Sequence, residues 1–204
     1  QYLYSDRTLS AEIIPGKSVI GIAVDPENRL AVAIDYIMTT GWGGYGIDIP
    51  MLENTPSSGA GIYVRGERDS YLIRDGKANT AKILAYGRSN GISYPAAEAA
   101  YNYQPGSCSS SSWCGRGNWY LPSNWQVFPY FDNRATIHLM LKAINKMPDD
   151  WWYTRNDFYT VTSNEINAKE SGFIYINTGG MAHGGKNLTE PDNLQTLVLP
   201  YITY

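Results

Sequence analysis

The spacing of the apolar residues changes twice along the chain, and this limits the folds that the chain can adopt. Up to about residue 74, apolar runs on both sides of turns, as in "SVIGIAVDPENRLAVAID", predict strands and a hairpin. From Asp75, "NTAKILAYG" and "YPAAEAAYNY" predict helices, and Pro95 suits a first helical turn. From "DFYTVTS" to "LQTLVLPYITY" the pattern predicts strands again. Strands, then helices, then strands indicate an α+β fold.

A chain of 204 residues is long enough to bury one sizeable core. The change in pattern predicts an N-terminal β-rich subdomain, residues 1–74, packed on a main domain of residues 75–204. Within the main domain, Ile137, Met140, Leu141 and Ile144 recur at helical spacing. We expect a longer helix there, which Asp132 or Asn133 would cap, and we expect Pro129 to end or kink the preceding helix.

The charge and hydropathy exclude two classes of partner. The net charge is −3 and the basic residues do not cluster, so the positive surface that nucleic acid requires is missing. No apolar run has the length of a spanning helix, so we expect no membrane insertion by this segment. The 17 Tyr and 6 Trp against 4 Phe favour aromatic rings that carry a polar atom, which are typical of binding faces.

One short segment, "GNWYLPSNWQ" at residues 117–126, predicts a specific junction. Ser123 followed by Gln126 fits a capping box, in which each side chain bonds to the other residue's backbone N–H. A strand-like segment therefore runs through Pro122 into the start of a helix.

The two cysteines flank a serine-rich loop, "CSSSSWC". A bond between Cys108 and Cys114 would restrain this loop and indicate an oxidising compartment, and the alternative is two unrelated thiols. The spacing is not that of a zinc site, and the histidines, His138 and His183, lie far away in sequence. We therefore expect no metal at the cysteines.

Several segments together carry a family resemblance: "DGKANTAKI", the cysteine pair, "GNWYLPSNWQ", "WWYTRN" and the closing "LVLPYI". They resemble bacterial C-type-lectin-like domains of paralogous surface proteins. That fold is related to formylglycine-generating, sulfatase-modifying enzymes and to the variable proteins of diversity-generating retroelements. The matching positions are Trp119, Leu121, Pro122, Ser123 and Trp152. The chain departs from the family motifs at residues 126–127 and 153–156.

The resemblance implies a C-type-lectin-like fold over residues 75–204, with an N-terminal β-rich extension. It places the first tryptophan of the junction, Trp119, together with Leu121 and Trp152, in the core. It also implies a protein that is secreted or held at the cell surface.

Catalytic chemistry is not indicated by the sequence. We find no nucleophile and base at a recognised spacing, and both cysteines precede the Leu-Pro motif, in the wrong part of the fold for sulfatase-modifying chemistry. We therefore expect that the chain is not an enzyme and has no cofactor, and a sulfatase-modifying enzyme is a further alternative.

Calcium is the one cofactor that has a candidate site. "TEPDN" is similar to the Glu-Pro-Asn motif of animal C-type lectins, and Glu190, Asp192 and Asn193 offer hard oxygen ligands. Because the rest of that motif is missing, we interpret the segment as a turn. These three residues are retained as the calcium alternative.

The segment "WWYTRNDFYTVTSNEIN" carries the candidate ligand-binding residues. A strand there would bury one set of side chains and display the other. The displayed set would combine rings and charges, as paratopes do, and an ordinary tyrosine-rich sheet face is the alternative. The candidate residues are Tyr153, Arg155, Asp157 and Tyr159, with Trp125 and Asn156 beside them.

Two hypotheses for function follow. In the first, the chain is an extracellular binding module, an adhesin or receptor-binding protein, whose partner is a glycan or protein on another cell or surface. In the alternative, it is a structural subunit of a surface appendage such as a pilus, and its N-terminal β region makes the contacts of a larger surface structure.

Overall fold

The computed structural model describes residues 1–52, 75–146, 159–175, 181–187 and 196–204, and all structural statements refer to these residues. They form two five-stranded sheets and four helices, which confirms the α+β class. The strands are β1 (Tyr2–Tyr4), β2 (Leu9–Ser10), β3 (Val19–Asp25), β4 (Leu30–Ala33), β5 (Ile37–Thr39), β6 (Tyr159–Glu165), β7 (Glu170–Tyr175), β8 (Met181–Gly185), β9 (Thr196–Val198) and β10 (Tyr201–Thr203). The helices are α1 (Gly76–Asn90), α2 (Pro95–Asn102), α3 (Asn124–Asp132) and α4 (Arg134–Ala143).

The first sheet is antiparallel and has the order β10-β4-β3-β1-β2. It contains the predicted hairpin, in which β3 pairs with β4 and Ile22 lies opposite Val32. The second sheet has the order β5-β9-β6-β7-β8, and its β6–β9 pair is parallel. The boundary expected after residue 74 lies outside the described residues, but strands from either side of it contribute to both sheets.

Both faces of the first sheet are covered. Along β4, Leu30 and Val32 face the core formed with α3 and α4, and Ala31 and Ala33 face the segment 103–119 on the other side. Successive side chains of a strand point to opposite faces of the sheet. Because both faces are covered, every side chain of β4 packs against other apolar residues. This explains why every residue of β4 is apolar and buried.

The cysteine pair forms a disulfide. Cys108 and Cys114 are bonded and buried, and they lie against the first sheet beside Trp119. The indole N–H of Trp119 donates to the Cys114 carbonyl oxygen at 2.8 Å, and the Tyr103 ring meets the Trp119 ring edge-on at 4.8 Å. Closing a loop of this size removes roughly 2 kcal/mol of conformational freedom from the unfolded chain on the chain-entropy estimate.

The predicted junction before α3 is confirmed. Ser123 Oγ accepts from the Gln126 N–H, and Gln126 Oε1 accepts from the Ser123 N–H, which is the complete capping box. Trp119 and Leu121 are buried, as expected from the resemblance. The helix runs through Pro129 to Asp132, so the proline does not end it.

Among the residues that the structure describes, no helix combines the length and the apolar character needed to cross a membrane.

His138 of α4 lies in the core and not at a site. It is 5% exposed, and its Nε2 lies 3.0 Å from the Tyr130 hydroxyl oxygen. Burial, with a smaller contribution from Arg134, lowers the pKa of His138 from 6.5 to about 4. Between about pH 4 and pH 6.5, this imidazole is therefore mostly neutral in the folded chain and mostly protonated in the unfolded chain.

We predict that the free energy of unfolding falls as the pH drops from about 6.5 toward 4, because only the unfolded chain takes up a proton at His138 in this interval. The loss attributable to His138 should be about 3 kcal/mol. Urea unfolding at a series of pH values measures it. His138→Gln, which keeps a polar group near Tyr130, should lose less stability than the native chain over the same interval. Equal losses would contradict the prediction.

Candidate functional site

An open cleft lies where α1 ends and α2 begins. Its volume is about 510 Å³, which is within the range of small-ligand sites. Its lining includes Leu84, Arg88, Ser93, Tyr94, Glu98 and Tyr101.

The turn between the two helices gives the cleft its shape. Helix α1 ends where Gly91 adopts a φ of +67°, a left-handed conformation that glycine adopts without strain. The Ile92 N–H then bonds back to the Gly87 carbonyl oxygen at 2.9 Å. The Glu98 carboxylate accepts from the Tyr94 N–H at 2.9 Å and from the Ser93 hydroxyl at 3.1 Å. Hydrogen bonds to Gly87 of α1 and to Glu98 of α2 therefore hold the turn at both of its ends.

The cleft is suited to binding a polar ligand. Arg88 is exposed and supplies donors, Glu98 supplies an acceptor, and Tyr101 is half-buried and supplies a ring. A donor, an acceptor and a ring around one cleft can recognise hydroxyl groups and an apolar face together. Among the described residues, no group of three or more His, Cys, Asp or Glu side chains is placed to hold a metal ion.

Tyr94 connects the cleft to a buried polar cluster that contains Trp42, Lys186 and Glu165. Its ring meets the Trp42 ring edge-on at 5.5 Å, and Trp42 lies against the amino group of Lys186 at 4.9 Å. Burial raises the pKa of Tyr94 to about 12, and the nearby Glu165 and Tyr86 contribute in the same direction. The phenol is therefore neutral across the physiological range.

The centre of this cluster is an ion pair between Lys186 and Glu165, whose side chains are both fully buried. Lys186 Nζ donates to Glu165 Oε1 and to the Ile47 carbonyl oxygen, the latter at 2.6 Å. The Ile49 N–H donates to Glu165 Oε2 at 3.1 Å. Burial lowers the pKa of Lys186 and raises the pKa of Glu165, while each partner opposes the shift of the other.

The same cluster holds the segment 41–52 on the second sheet. The N–H groups of Trp42 and Gly43 both donate to the Lys186 carbonyl oxygen at 3.0 Å. The indole N–H of Trp42 donates to the Thr162 carbonyl oxygen at 2.8 Å. Backbone and side-chain groups of Lys186 therefore fix this segment at two points.

The residues predicted from the sequence fall in three places. Trp125 is half-buried in the first turn of α3. The segment that contains Tyr153, Arg155, Asn156 and Asp157 lies outside the described residues, as do Trp152 and the calcium candidates Glu190, Asp192 and Asn193. Of the two candidates that the structure describes, neither Trp125 nor Tyr159 is among the residues that line the cleft.

The expected exposure of Tyr159 is wrong. Tyr159 is 3% exposed, and its ring packs against Phe173 at 4.6 Å between ring centres. The physical reason is that all seven residues of β6 are buried, so this strand has no solvent-facing side. Alternation along a strand predicts exposure only where one face of the sheet is open.

The fold is similar to that of a fimbrial protein from Bacteroides ovatus ATCC 8483, with a TM-score of 0.63 and 14% sequence identity. The similarity covers 100% of this chain and 48% of that protein, so the chain spans about half of its length. At this identity the similarity concerns the fold alone. No protein-family model and no curated protein sequence matches the chain. The narrower C-type-lectin-like fold stays a prediction.

The packing of the cleft yields a prediction for Gly87 of α1. A Cβ atom at Gly87 would lie 2.6 Å from the Ile92 carbonyl oxygen and 2.9 Å from Tyr94 Cδ2. Helix propensity alone would make Gly87→Ala stabilising by up to about 1 kcal/mol. Because the Ile92 carbonyl group and the Tyr94 ring occupy that space, we expect a net destabilisation of about 1 kcal/mol or more in urea unfolding.

Gly106→Ala is the matched control, since its Cβ would meet no atom within 4 Å. Its effect should stay within about 0.5 kcal/mol. A Gly87→Ala variant that is as stable as the native chain would contradict the described packing.

Proposed function

We propose that this chain is a structural module of a surface appendage of the fimbrial type, secreted and held at the cell surface as part of a larger assembly. The observation that carries the proposal is the similarity of fold, which extends over the whole chain. The chain spans about half of the fimbrial protein, so the proposal concerns this chain as one module.

Two features of the chain support this proposal. The buried Cys108–Cys114 disulfide suits an oxidising compartment outside the cytoplasm. The short strand β2 forms an edge of the first sheet, and we propose that this N-terminal sheet makes the assembly contacts. The role requires no catalytic turnover and no cofactor, in line with the sequence-based expectation that the chain is not an enzyme.

Immunogold electron microscopy of cells that produce the full-length protein tests the proposal. Antibodies raised against the purified chain should label extracellular filaments, either along their length or at their ends. Cells in which the coding segment for this chain is deleted provide the control and should lose the label. Label confined to the cell interior would contradict the proposal.

The cleft favours a second candidate function, the binding of a glycan or protein by a module of the same appendage. The cation of Arg88, the acceptor of Glu98 and the ring of Tyr101 are grouped as a polar ligand would require. This second proposal retains the C-type-lectin-like fold. It also retains a separate ligand-binding face formed by the candidate residues Tyr153, Arg155, Asn156 and Asp157.

Glycan and protein arrays probed with the purified chain, with and without calcium, test this second function. If the cleft binds, Tyr101→Ala and Arg88→Ala should each weaken binding by roughly 1 kcal/mol or more. Lys77→Ala, at an exposed position near the start of the same helix, is the control and should bind normally. If only Tyr153→Ala and Arg155→Ala weaken binding, the cleft is not the site. No binding on either array would remove this second function.

A further inference from the structure

Lys186 and Glu165 are in contact in a place that water does not reach. Both side chains are fully buried, and the Trp42 ring covers the amino group at 4.9 Å. Removing two charges from water is costly, and their attraction offsets this cost only in part. A reaction that turns both groups into one neutral group would remove the cost altogether.

The surrounding groups match the needs of such a reaction. An amine lies against a carboxyl group, so the nucleophile and the electrophile already touch. The Ile47 carbonyl oxygen accepts from Lys186 Nζ at 2.6 Å and orients it. The Ile49 N–H points at Glu165 Oε2 from 3.1 Å, where negative charge would develop when the carbonyl carbon is attacked.

We propose that Lys186 and Glu165 condense to an intramolecular amide bond between Lys186 Nζ and Glu165 Cδ. The chain would thus carry a covalent cross-link in addition to its disulfide. The proposal goes beyond the proposed function and does not depend on it.

The step balances without any co-reactant. One proton passes from the ammonium group to the carboxylate, which leaves a neutral amine and a carboxylic acid. The nitrogen lone pair attacks Glu165 Cδ, and the Ile49 N–H stabilises the resulting oxyanion. A second proton leaves the nitrogen for the departing hydroxyl group, the C–O bond breaks, and one water molecule is released. Nothing is oxidised or reduced.

Two physical effects favour this direction. Burial lowers the pKa of Lys186 and raises the pKa of Glu165, so both shifts favour the neutral forms that react. Holding the two groups together replaces an encounter in solution with a step inside one molecule. The chain reacts once with itself, so the step involves no turnover.

The cross-link would join the end of β6 to the turn after β8. These ends are 21 residues apart in sequence, and β7 lies between the two strands in the sheet. Three strands of the second sheet would then be tied at one end by a covalent bond.

Mass spectrometry of the purified, folded chain tests the proposal directly. After denaturation and reduction, we expect the intact mass to be lower than the sequence mass by one water molecule. Tryptic digestion should leave Lys186 uncut and yield a branched peptide that joins Lys186 to Glu165. Full mass, with normal cleavage after Lys186, would overturn the proposal and leave an ion pair alone.

Variants separate the proposed bond from other losses of mass. Lys186→Met and Glu165→Ala should both restore the full mass, and this measurement does not require either variant to fold. Lys169→Met, at an exposed lysine close by in sequence, is the control and should keep the cross-link.

Peptide mapping separates the bond from succinimide formation at Asp75-Gly76, which also releases water. Cyclisation at Gln1 releases ammonia, so the intact mass alone distinguishes it from the proposed bond. Loss of water that maps to Asp75-Gly76, with Lys186 and Glu165 unlinked, would overturn the proposal.

Discussion

The amide oxygen of Gln126 joins the starts of two helices. It accepts from the Ser123 N–H at 3.0 Å before α3 and from the Gly76 N–H at 3.1 Å at the start of α1. The Thr80 hydroxyl oxygen, one turn into α1, accepts from the Leu121 N–H at 3.0 Å. Because α1 packs on β6 and carries one wall of the cleft at its other end, both the cleft and the buried pair depend on this junction.

The local parts of the fold could be predicted because neighbouring residues determine them. The capping box at Ser123, the buried positions Ile137 and Leu141, and the β3–β4 hairpin follow from spacing and from turn chemistry. The pairing of β10 with β4 and of β9 with β5 could not be predicted, since no short-range pattern specifies which distant strands meet. For the same reason, the pattern of apolar residues could not indicate that each sheet contains strands from both sides of residue 74.

The candidate site was harder to predict than the fold. Strand parity suggested that Tyr159 faces solvent, but β6 lies inside its sheet and its polar side chains are used internally. Thr162 donates to the Asn124 side chain, and the Asn164 side chain accepts from the Asn124 N–H at 2.8 Å. Polar residues in this strand therefore signalled a buried network at the start of α3 and not a binding face. No sequence pattern indicates the Lys186–Glu165 pair, because only the folded backbone brings the two residues together.

The exchange of strands between the two ends of the chain constrains the order in which the protein can fold during synthesis. Strands β4 and β5 leave the ribosome before their partners β10 and β9, which follow β8 in the sequence. Until then, each early strand has an unpaired edge, and such edges are sites of unwanted association. Long-range pairing of this kind also slows folding. Neither sheet can be completed before residues 196–203 are present, so both sheets form only after these residues have been made.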